Sequence, residues 1–273
     1  MEQMSKGRSL ALHLPKYALW LSLAVLAWFA IAAFAPKFGL LGWQAGLGFM
    51  VMTAGPILIG AALLVALAAL ALALLRRPRG PWWKAALALA IPVILGATLL
   101  QLKATADRVP PIHDVATDVL DPPQFSARTL AVRQAADANP LNPYGTPLGQ
   151  LPAWRGAVEG ADAIKTHADL IGQHYGNLQP IPTGSRTQPQ ALDAVVAAMA
   201  DIGLEDIRRD PAAGTVEGVA ETFAFGFRDD VVVRVRNGRI DLRSASRVGL
   251  SDLGYNAARL EELSEAIRER LGS

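Results

Sequence analysis

The chain has 273 residues, of which 52% are hydrophobic, and this share is high enough to indicate membrane-embedded segments beside a soluble part. It contains no cysteine, which excludes disulfides and cysteine-ligated zinc or iron–sulfur sites. Residues 1–103 carry nine basic side chains and one acidic one beside long apolar segments, a pattern that indicates a membrane protein rather than nucleic-acid binding.

Three apolar stretches in residues 1–103 are long enough to cross a bilayer as helices, which takes about 20 residues each. Trp43 and Trp82 stand at the edges of these stretches, where interfacial tryptophans are enriched. The sequence therefore predicts a membrane domain, residues 1–103, that is embedded in the lipid bilayer. The predicted helices are roughly Tyr17–Ala35, the part of Trp43–Leu75 from about Thr53 onward, and roughly Trp82–Leu102.

The distribution of lysine and arginine predicts the orientation, because loops rich in these residues stay in the cytoplasm. The N-terminal segment and residues 76–84 are rich in them, whereas the loop between the first two spans holds only Lys37. We therefore expect a bacterial inner-membrane protein with a cytoplasmic N-terminus and a periplasmic or otherwise extracytoplasmic C-terminal domain. An alternative treats the first span as a signal peptide cleaved after Ala33-Phe34-Ala35, and this leaves the orientation unchanged.

Residues 104–155 are rich in proline and turn-forming residues, which predicts a mostly irregular linker and leading segment. We place the α+β core at residues 156–273. A short helix is predicted at about 161–172, and a clearer one spans Gln188–Ile202, with Thr187 as its N-cap and Gly203 as its end.

Strands are predicted at Leu204–Arg209 and Val216–Phe227, and a final helix runs from about Asp252 to Leu271 with Ser251 as its cap. A hairpin lies between the second strand and the final helix. The fold class is therefore α+β: three transmembrane helices followed by a soluble domain with a mostly antiparallel sheet packed by helices.

The hairpin VVVRVRNGRIDLRS gives the clearest local geometry, since Asn237-Gly238 is a strong signal for a two-residue turn. This turn pairs Arg234 with Asp241, and it places apolar residues on one face of the sheet and charged residues on the other. The predicted buried face holds Val233, Val235, Ile240 and Leu242, and the opposite face holds Arg234, Asp241 and Arg243.

A set of polar residues at fixed spacing continues from the hairpin into the final helix: Asp241, Arg243, Ser244, Ser246, Arg247, Gly249, Ser251, Asp252, Gly254, Asn256 and Arg259. Upstream stand Phe225, Phe227, Asp229, Asp230, Val232 and Arg234, and the leading segment holds Pro111-Ile112-His113-Asp114 with Thr117, Asp118, Asp121, Pro122 and Pro123. This pattern resembles the domain of unknown function 1499 (DUF1499) over about residues 110–271. The resemblance implies no established activity. Because some members carry a cysteine near the start of the domain and this chain has none, a thiol mechanism is excluded here.

The leading candidate site is the arginine cluster of the hairpin, since the planar guanidinium group suits carboxylates and phosphates. The hypothesis is recognition of an acidic envelope ligand or of an anionic segment of a membrane-protein partner. The alternative is that the arginines form internal cross-strand pairs and a solvated face. The candidate ligand-binding residues are Arg234, Asp241, Arg243, Ser244, Ser246, Arg247, Asp252, Asn256 and Arg259.

Weaker candidates are imidazole and carboxylate groups outside this cluster. The histidine and aspartates of the leading segment could ligate a metal ion, but their spacing matches no complete metal-binding motif. Aspartates followed by proline or threonine also commonly form turns. A pair of strand glutamates could act as acid and base, though we expect both to face solvent. We therefore predict no metal and no cofactor, and we assign no catalytic residue. The groups are His113, Asp114, Asp118 and Asp121, then His167 with His174, and Glu217 with Glu221.

The sequence favours a tethered binding or scaffolding module of the cell envelope. The spans hold no ionisable residue near mid-membrane, so we expect them to anchor the protein rather than to conduct ions. Two alternatives stay open: an envelope enzyme of the hydrolase type that uses His113 and the nearby aspartates or the arginine–serine surface, and an accessory subunit of a membrane complex.

Overall fold

The computed structural model of the protein describes residues 2–75 and 81–272, with side chains described from residue 13 onward. Arg76, Arg77 and Arg79, on which part of the predicted orientation rests, lie outside the described residues. The chain divides into two compact units: residues 1–104 together with the short turn 223–226, and residues 105–222 together with 227–273. They are called the membrane unit and the C-terminal unit below.

The membrane unit is helical, and three of its segments are long and apolar enough to cross a membrane. They confirm the three predicted spans. The second span begins earlier than predicted, with an 11-residue π-helix that leads directly into an α-helix. The elements are α1 (Glu2–Phe34), the π-helix (Gln44–Ala54), α2 (Gly55–Leu75) and α3 (Trp82–Ala106).

Small residues bring these helices together, because they let backbones approach closely where no hydrophobic force drives association. The hydroxyl of Ser22 in α1 donates to the carbonyl oxygen of Ala88 in α3 at 2.7 Å. The indole Nε1 of Trp28 donates to the carbonyl oxygen of Met50 in the π-helix at 3.0 Å. A stripe of buried alanines follows one side of α2: Ala62, Ala66, Ala69 and Ala73.

The C-terminal unit is built on a six-stranded sheet in which every described pair is antiparallel. Its strands are β1 (Asp114–Ala116), β2 (Ile181–Pro182), β3 (Glu205–Asp210), β4 (Thr215–Glu221), β5 (Arg228–Arg236) and β6 (Arg239–Ser246). They lie in the order β1-β6-β5-β4-β3, and β2 pairs with the part of β6 that β1 leaves uncovered. This sheet confirms the predicted α+β fold.

Five α-helices and a short 3₁₀ turn accompany the sheet within the described part of this unit. The helix over Gln188–Asp201, α7, begins at its predicted cap, where Thr187 and Gln190 form a capping box, and Gly203 follows its end with φ +76°. The elements are α4 (Ala127–Ala135), the 3₁₀ turn (Leu148–Gln150), α5 (Ala161–Ile164), α6 (His167–His174), α7 (Gln188–Asp201) and α8 (Tyr255–Leu271).

The hairpin of β5 and β6 has the predicted register. Arg234 pairs with Asp241 and Val235 with Ile240. Asn237 and Gly238 have φ of 54° and 75°, which the type I′ turn requires at both central positions. The hydrophobic core lies on the valine face of the hairpin, under α7 and α8, and it includes Val233, Val235, Ile240, Leu242, Leu192, Met199, Leu260 and Ile267.

Residues 104–155 are more ordered than their proline content predicts. They supply β1, α4 and several of the buried side chains of the main core. Trp154 is fully buried, and its Nε1 donates to the carbonyl oxygen of Pro111 at 2.6 Å. Proline and turn residues prevent long elements, but they do not prevent burial when backbone groups find such partners. The contributed core residues are Ile112, Tyr144, Leu148, Leu151 and Trp154.

The single helix predicted at about 161–172 is two helices, α5 and α6, because Lys165 and Thr166 between them are extended. Two boundaries predicted elsewhere are also wrong. β4 ends at Glu221 rather than Phe227, because Phe225 and Gly226 adopt positive φ in a turn. The final helix begins at Tyr255 rather than Asp252, since Gly254 at its N-cap has φ +84°. In both places a run that fits an element by pattern is interrupted by left-handed backbone, which ends a strand or delays a helix.

The membrane unit gives a first prediction at two glycines of the π-helix. A Cβ at Gly46 would lie 2.5 Å from the carbonyl oxygen of Ala32 and 2.6 Å from Cγ of Pro36, whereas a Cβ at Gly48 would meet nothing within 4 Å. Gly46→Ala should therefore cost about 1–3 kcal/mol through overpacking. The measurement is the heat-induced aggregation midpoint of the full chain in detergent. Gly48→Ala is the matched control. Equal aggregation midpoints for the two variants would show that Gly46 is not packed against Ala32 and Pro36 as described.

Candidate functional site

The predicted ligand-binding residues divide between the two faces of the sheet, so they do not line one common space. Arg234, Asp241 and Arg243 lie on the face opposite the core, here called the charged face. Ser244 and Ser246 alternate with them and lie on the core side. The two groups are described in turn.

The charged face is covered by residues 117–124, here called the strap. Asp118 in the strap accepts the backbone N–H groups of Leu120 and Asp121 at 3.1 and 3.0 Å and pairs with Arg239. Asp121 pairs with Arg234 at 3.1 Å. Hairpin arginines thus hold the strap across the sheet. The cross-strand pair that the sequence left open as an alternative is also present, since Arg234 lies 2.9 Å from Asp241.

Arg243 makes the most buried of these pairs. Its Nε and Nη2 donate to the two carboxylate oxygens of Asp114 at 3.0 and 2.7 Å, and both side chains are at most 4% exposed. The hydroxyl of Tyr144 donates to the same carboxylate at 2.6 Å. Burial would raise the pKa of Asp114, but the Arg243 guanidinium holds that pKa below its ordinary value. Burial, together with the Asp114 charge, raises the pKa of Tyr144, so its hydroxyl stays protonated.

The helix α4 is fastened to the charged face at both ends. Near its start, Glu217 accepts the Ser126 hydroxyl at 2.7 Å; near its end, Arg133 donates to Asp230 at 2.7 Å. Asp230 also accepts from Arg247 at 2.7 Å. Glu217 is buried, so the expectation that it faces solvent is wrong. Burial of this carboxylate is tolerated because it accepts hydrogen bonds from the backbone N–H and the hydroxyl of Ser126, the residue that caps the start of α4.

The core-side group ties β6 to the beginning of α8. Ser244 donates its hydroxyl to Asn256 at 2.5 Å, and Asn256 donates to Ser246 at 2.9 Å. Arg259 donates to Ser244 at 3.0 Å and pairs with Asp229 at 2.7 Å. These side chains are buried or nearly so, and their contacts position the helix.

Asp252 caps the same helix from the preceding turn. Its carboxylate accepts the backbone N–H groups of Gly254 and Asn256 at 2.9 and 2.7 Å. Burial raises its pKa to about 6 in spite of these donors. The carboxyl of Asp252 is thus fixed by its backbone contacts and titrates nearer to neutral pH than an ordinary aspartate.

His113 and His167 lie in an aromatic cluster with Trp154 and Tyr144. His113 stacks on Trp154 with ring centroids 5.0 Å apart, and His167 stacks on Tyr144 at 5.5 Å. Among the described residues, neither ring nitrogen of His113 has a hydrogen-bond partner. Burial lowers the pKa of both histidines, that of His167 to about 4, so both rings are neutral at pH 7.

The carboxylates of the leading segment do not converge with these histidines on a metal. Asp114, Asp118 and Asp121 each pair with arginine. Within residues 2–75 and 81–272, no group of three or more histidine, aspartate or glutamate side chains could hold a metal ion.

Two clefts flank the strap. The Arg243 cleft has a volume of about 440 Å³, and the Tyr175 cleft on the other side has about 270 Å³. Val119 and Leu120 line both clefts, and Leu120 is 93% exposed. Of the predicted ligand-binding residues, Arg243 lines the larger cleft and none lines the smaller. The other residues of the Arg243 cleft are Pro122, Gln124, Leu141, Asn142, Pro143, Tyr144 and Gly145.

Sequence reasoning missed Tyr144 and did not connect the three aspartates of the leading segment with the hairpin arginines. A signal for the pairing was present: four arginines alternate along one face of the hairpin, and a buried face of that charge needs acidic partners from elsewhere in the chain. The segment that spaces Asp114, Asp118 and Asp121 matches this need. Tyr144 had no such signal, because its place depends on how an irregular segment crosses the domain.

The family model described as "Protein of unknown function (DUF1499)" matches residues 114–267, more than half of the chain. No curated protein and no solved structure matches the chain. The matched residues include β1, the strap, the hairpin and most of α8, so they cover the whole arginine–aspartate network.

Removal of one buried partner should be costly. Asp114→Ala leaves the Arg243 charge buried without compensation, and we expect a loss of about 3–5 kcal/mol in the free energy of unfolding. The measurement is hydrogen exchange of the β5 amides in the full chain. The control is Asp121→Ala in the same segment, which should cost far less because its carboxylate is half-exposed and solvent-screened. If both variants lose the same free energy of unfolding, Asp114 is not the buried partner that stabilises the Arg243 charge.

Acid should destabilise the C-terminal unit through His167. Its pKa falls from 6.5 in the unfolded chain to about 4 in the fold, so the unfolded state binds the proton more tightly. The neutral His167 ring thereby contributes roughly 3 kcal/mol to the free energy of unfolding. This contribution is complete above pH 6.5 and is lost as pH falls through about 4.

The same exchange measurement between pH 4 and pH 6.5 should show a shallower loss of stability in His167→Leu. Asp252 acts in the opposite direction, because its raised pKa makes its contribution largest at low pH and lost as pH rises through about 6. The comparison is therefore made in an Asp252→Asn background. If the free energy of unfolding falls with pH as steeply in the His167→Leu variant as in the protein that keeps His167, the prediction is wrong.

Proposed function

This chain belongs to the DUF1499 family, and we propose that it is a membrane-tethered binding module that takes a ligand or partner segment at the strap of its C-terminal domain. Three apolar helices long enough to cross a membrane support the tether. We further propose that the domain lies outside the cytoplasm of a bacterial cell, on the basis of the lysine and arginine distribution.

The single observation that carries this proposal is the exposure of Leu120. A leucine that is 93% exposed is held out from the domain on a strap that hairpin arginines fix in place. The backbone N–H of Leu120 is held by Asp118, so a partner that covers this leucine orders its side chain but not the strap, which favours binding. Single exposed leucines are common on surfaces, and it is the fixed strap with its clefts that distinguishes this one.

The geometry supports binding better than hydrolysis. His113, which the hydrolase alternative would use, is fully buried and stacked on Trp154. A general base must reach the proton that it abstracts through a hydrogen bond, directly or through one water molecule. The nearby aspartates bind arginine, which holds them in structural contacts.

The test uses the absence of cysteine in the chain. Single cysteines are introduced as Leu120→Cys in the strap and as Glu269→Cys, an exposed position near the end of α8. Both are treated with a membrane-impermeant maleimide in intact cells and in purified protein, and Arg79→Cys, between the second and third spans, reports the opposite side.

We expect Glu269→Cys to react in intact cells and Arg79→Cys to react only after the membrane is opened. Leu120→Cys should react as fast as Glu269→Cys in purified protein and several-fold more slowly in cells, because a partner covers it there. Labelling of Arg79→Cys alone in intact cells would refute the orientation. Equal rates at positions 120 and 269 in cells would refute binding at the strap.

A further inference from the structure

We propose that the turn at residues 223–226 contacts the lipid of the bilayer surface and so gives the protein a membrane contact outside its three spans. Phe223 is the side chain that enters the boundary between the headgroups and the acyl chains. Neither the strap nor its clefts take part in this contact. Three kinds of observation support it: the packing of the turn, the hydrogen bonds of its backbone, and the exposure and charge of its side chains.

The turn belongs to the membrane unit by its contacts. Phe225 packs against a buried apolar cluster that includes Ala32 of α1 and Val51 of the π-helix. The ring of Phe223 meets that of Phe34 edge to face, with centroids 5.3 Å apart. Phe34 is the last residue of the first apolar segment that is long enough to cross a membrane. The turn therefore lies at the level where that segment ends, and this is where aromatic residues of membrane proteins are enriched.

The backbone of the turn is bonded in a way that suits contact with lipid. Backbone groups against hydrocarbon must find partners within the protein, because the lipid offers none. The N–H of Phe225 donates to the carbonyl oxygen of Ala33 at 2.7 Å. Thr222 and Phe227 close the turn, since the N–H of Thr222 donates to the Phe227 carbonyl oxygen at 2.9 Å and the N–H of Phe227 donates to the Thr222 hydroxyl at 2.9 Å. The turn can thus lie against lipid without leaving these donors unpaired.

The side chains of the turn and its neighbours match the bilayer surface. Phe223 is 80% exposed although its ring is large and apolar, and residues 222–227 include no charged residue. The Nζ of Lys37 lies 6.0 Å from the centroid of the Phe223 ring. A lysine at a membrane edge keeps its apolar stem in the interface and its ammonium among the headgroups. The segment that follows α1 adds exposed apolar side chains from Phe38 and Leu40.

A second exposed apolar residue provides a matched control. Ile164 in the C-terminal unit is 76% exposed, close to the value for Phe223. It stands beside charged side chains, because Asp162 and Lys165 form an ion pair at 2.9 Å. Charged groups are costly to bring into lipid, so the surroundings of Ile164 favour water. The two positions therefore have similar exposure and different expected environments.

The experiment attaches a nitroxide spin label to Phe223→Cys or Ile164→Cys in the full chain, in nanodiscs of equal parts phosphatidylcholine and phosphatidylglycerol. Collisions with oxygen, which concentrates in hydrocarbon, and with a water-soluble nickel chelate report the surroundings of the label. Leu67→Cys, at an exposed position of α2, gives the lipid limit. We expect the oxygen-to-nickel ratio at position 223 to be several-fold higher than at 164 and to lie below that at 67. Equal ratios at positions 223 and 164 would overturn the proposal.

Photocrosslinking of the unsubstituted chain removes any effect of the label or of the cysteine. A phospholipid with a diazirine near its headgroup is added to the same nanodiscs, and the irradiated protein is digested with trypsin. The digest places the turn in a single peptide, residues 210–228, and Ile164 in another, residues 156–165. We expect lipid adducts at residues 223–226 and none on the peptide that holds Ile164. Adducts on the span peptide 17–37 without any at the turn would overturn the proposal, whatever the spin label reports.

Discussion

The ion pairs between the hairpin arginines and the aspartates of the leading segment are the constraint on which the C-terminal unit depends. A guanidinium on a covered sheet face needs a carboxylate or carbonyl at a fixed place, since an unpaired buried charge is far costlier than a paired one. Asp114 supplies this for Arg243 and Asp241 supplies it for Arg234, while Asp118 and Asp121 of the strap pair with the half-exposed Arg239 and Arg236. The leading segment is consequently drawn across the sheet, and the strap, the clefts and the position of α4 follow from its path.

Local geometry made much of the fold predictable. The turn at Asn237-Gly238 sets the register of its own hairpin, so the faces of Arg234 and Asp241 could be derived from a few residues. The three spans were equally accessible, because length and hydropathy alone define them. Where left-handed backbone at Phe225 interrupts a strand pattern, periodicity could not foresee the break, since it reports side chains rather than φ.

The candidate site was only half predictable for a related reason. Arg243 and Asp114 stand 129 positions apart in the sequence, and no periodic pattern connects residues at that separation. Sequence reasoning could say that the hairpin carries a charged face and that such a face needs partners or a ligand. It could not choose between the two, because that choice depends on the tertiary path of an irregular segment. The same holds for Tyr144, which reaches Asp114 from a stretch without regular structure.

The position of Leu120 in the wall shared by both clefts has a mechanical consequence. The strap is anchored on both sides of this leucine, by Asp118 to Arg239 and by Asp121 to Arg234. The wall between the two clefts is therefore held from both ends, and filling one cleft need not displace it into the other.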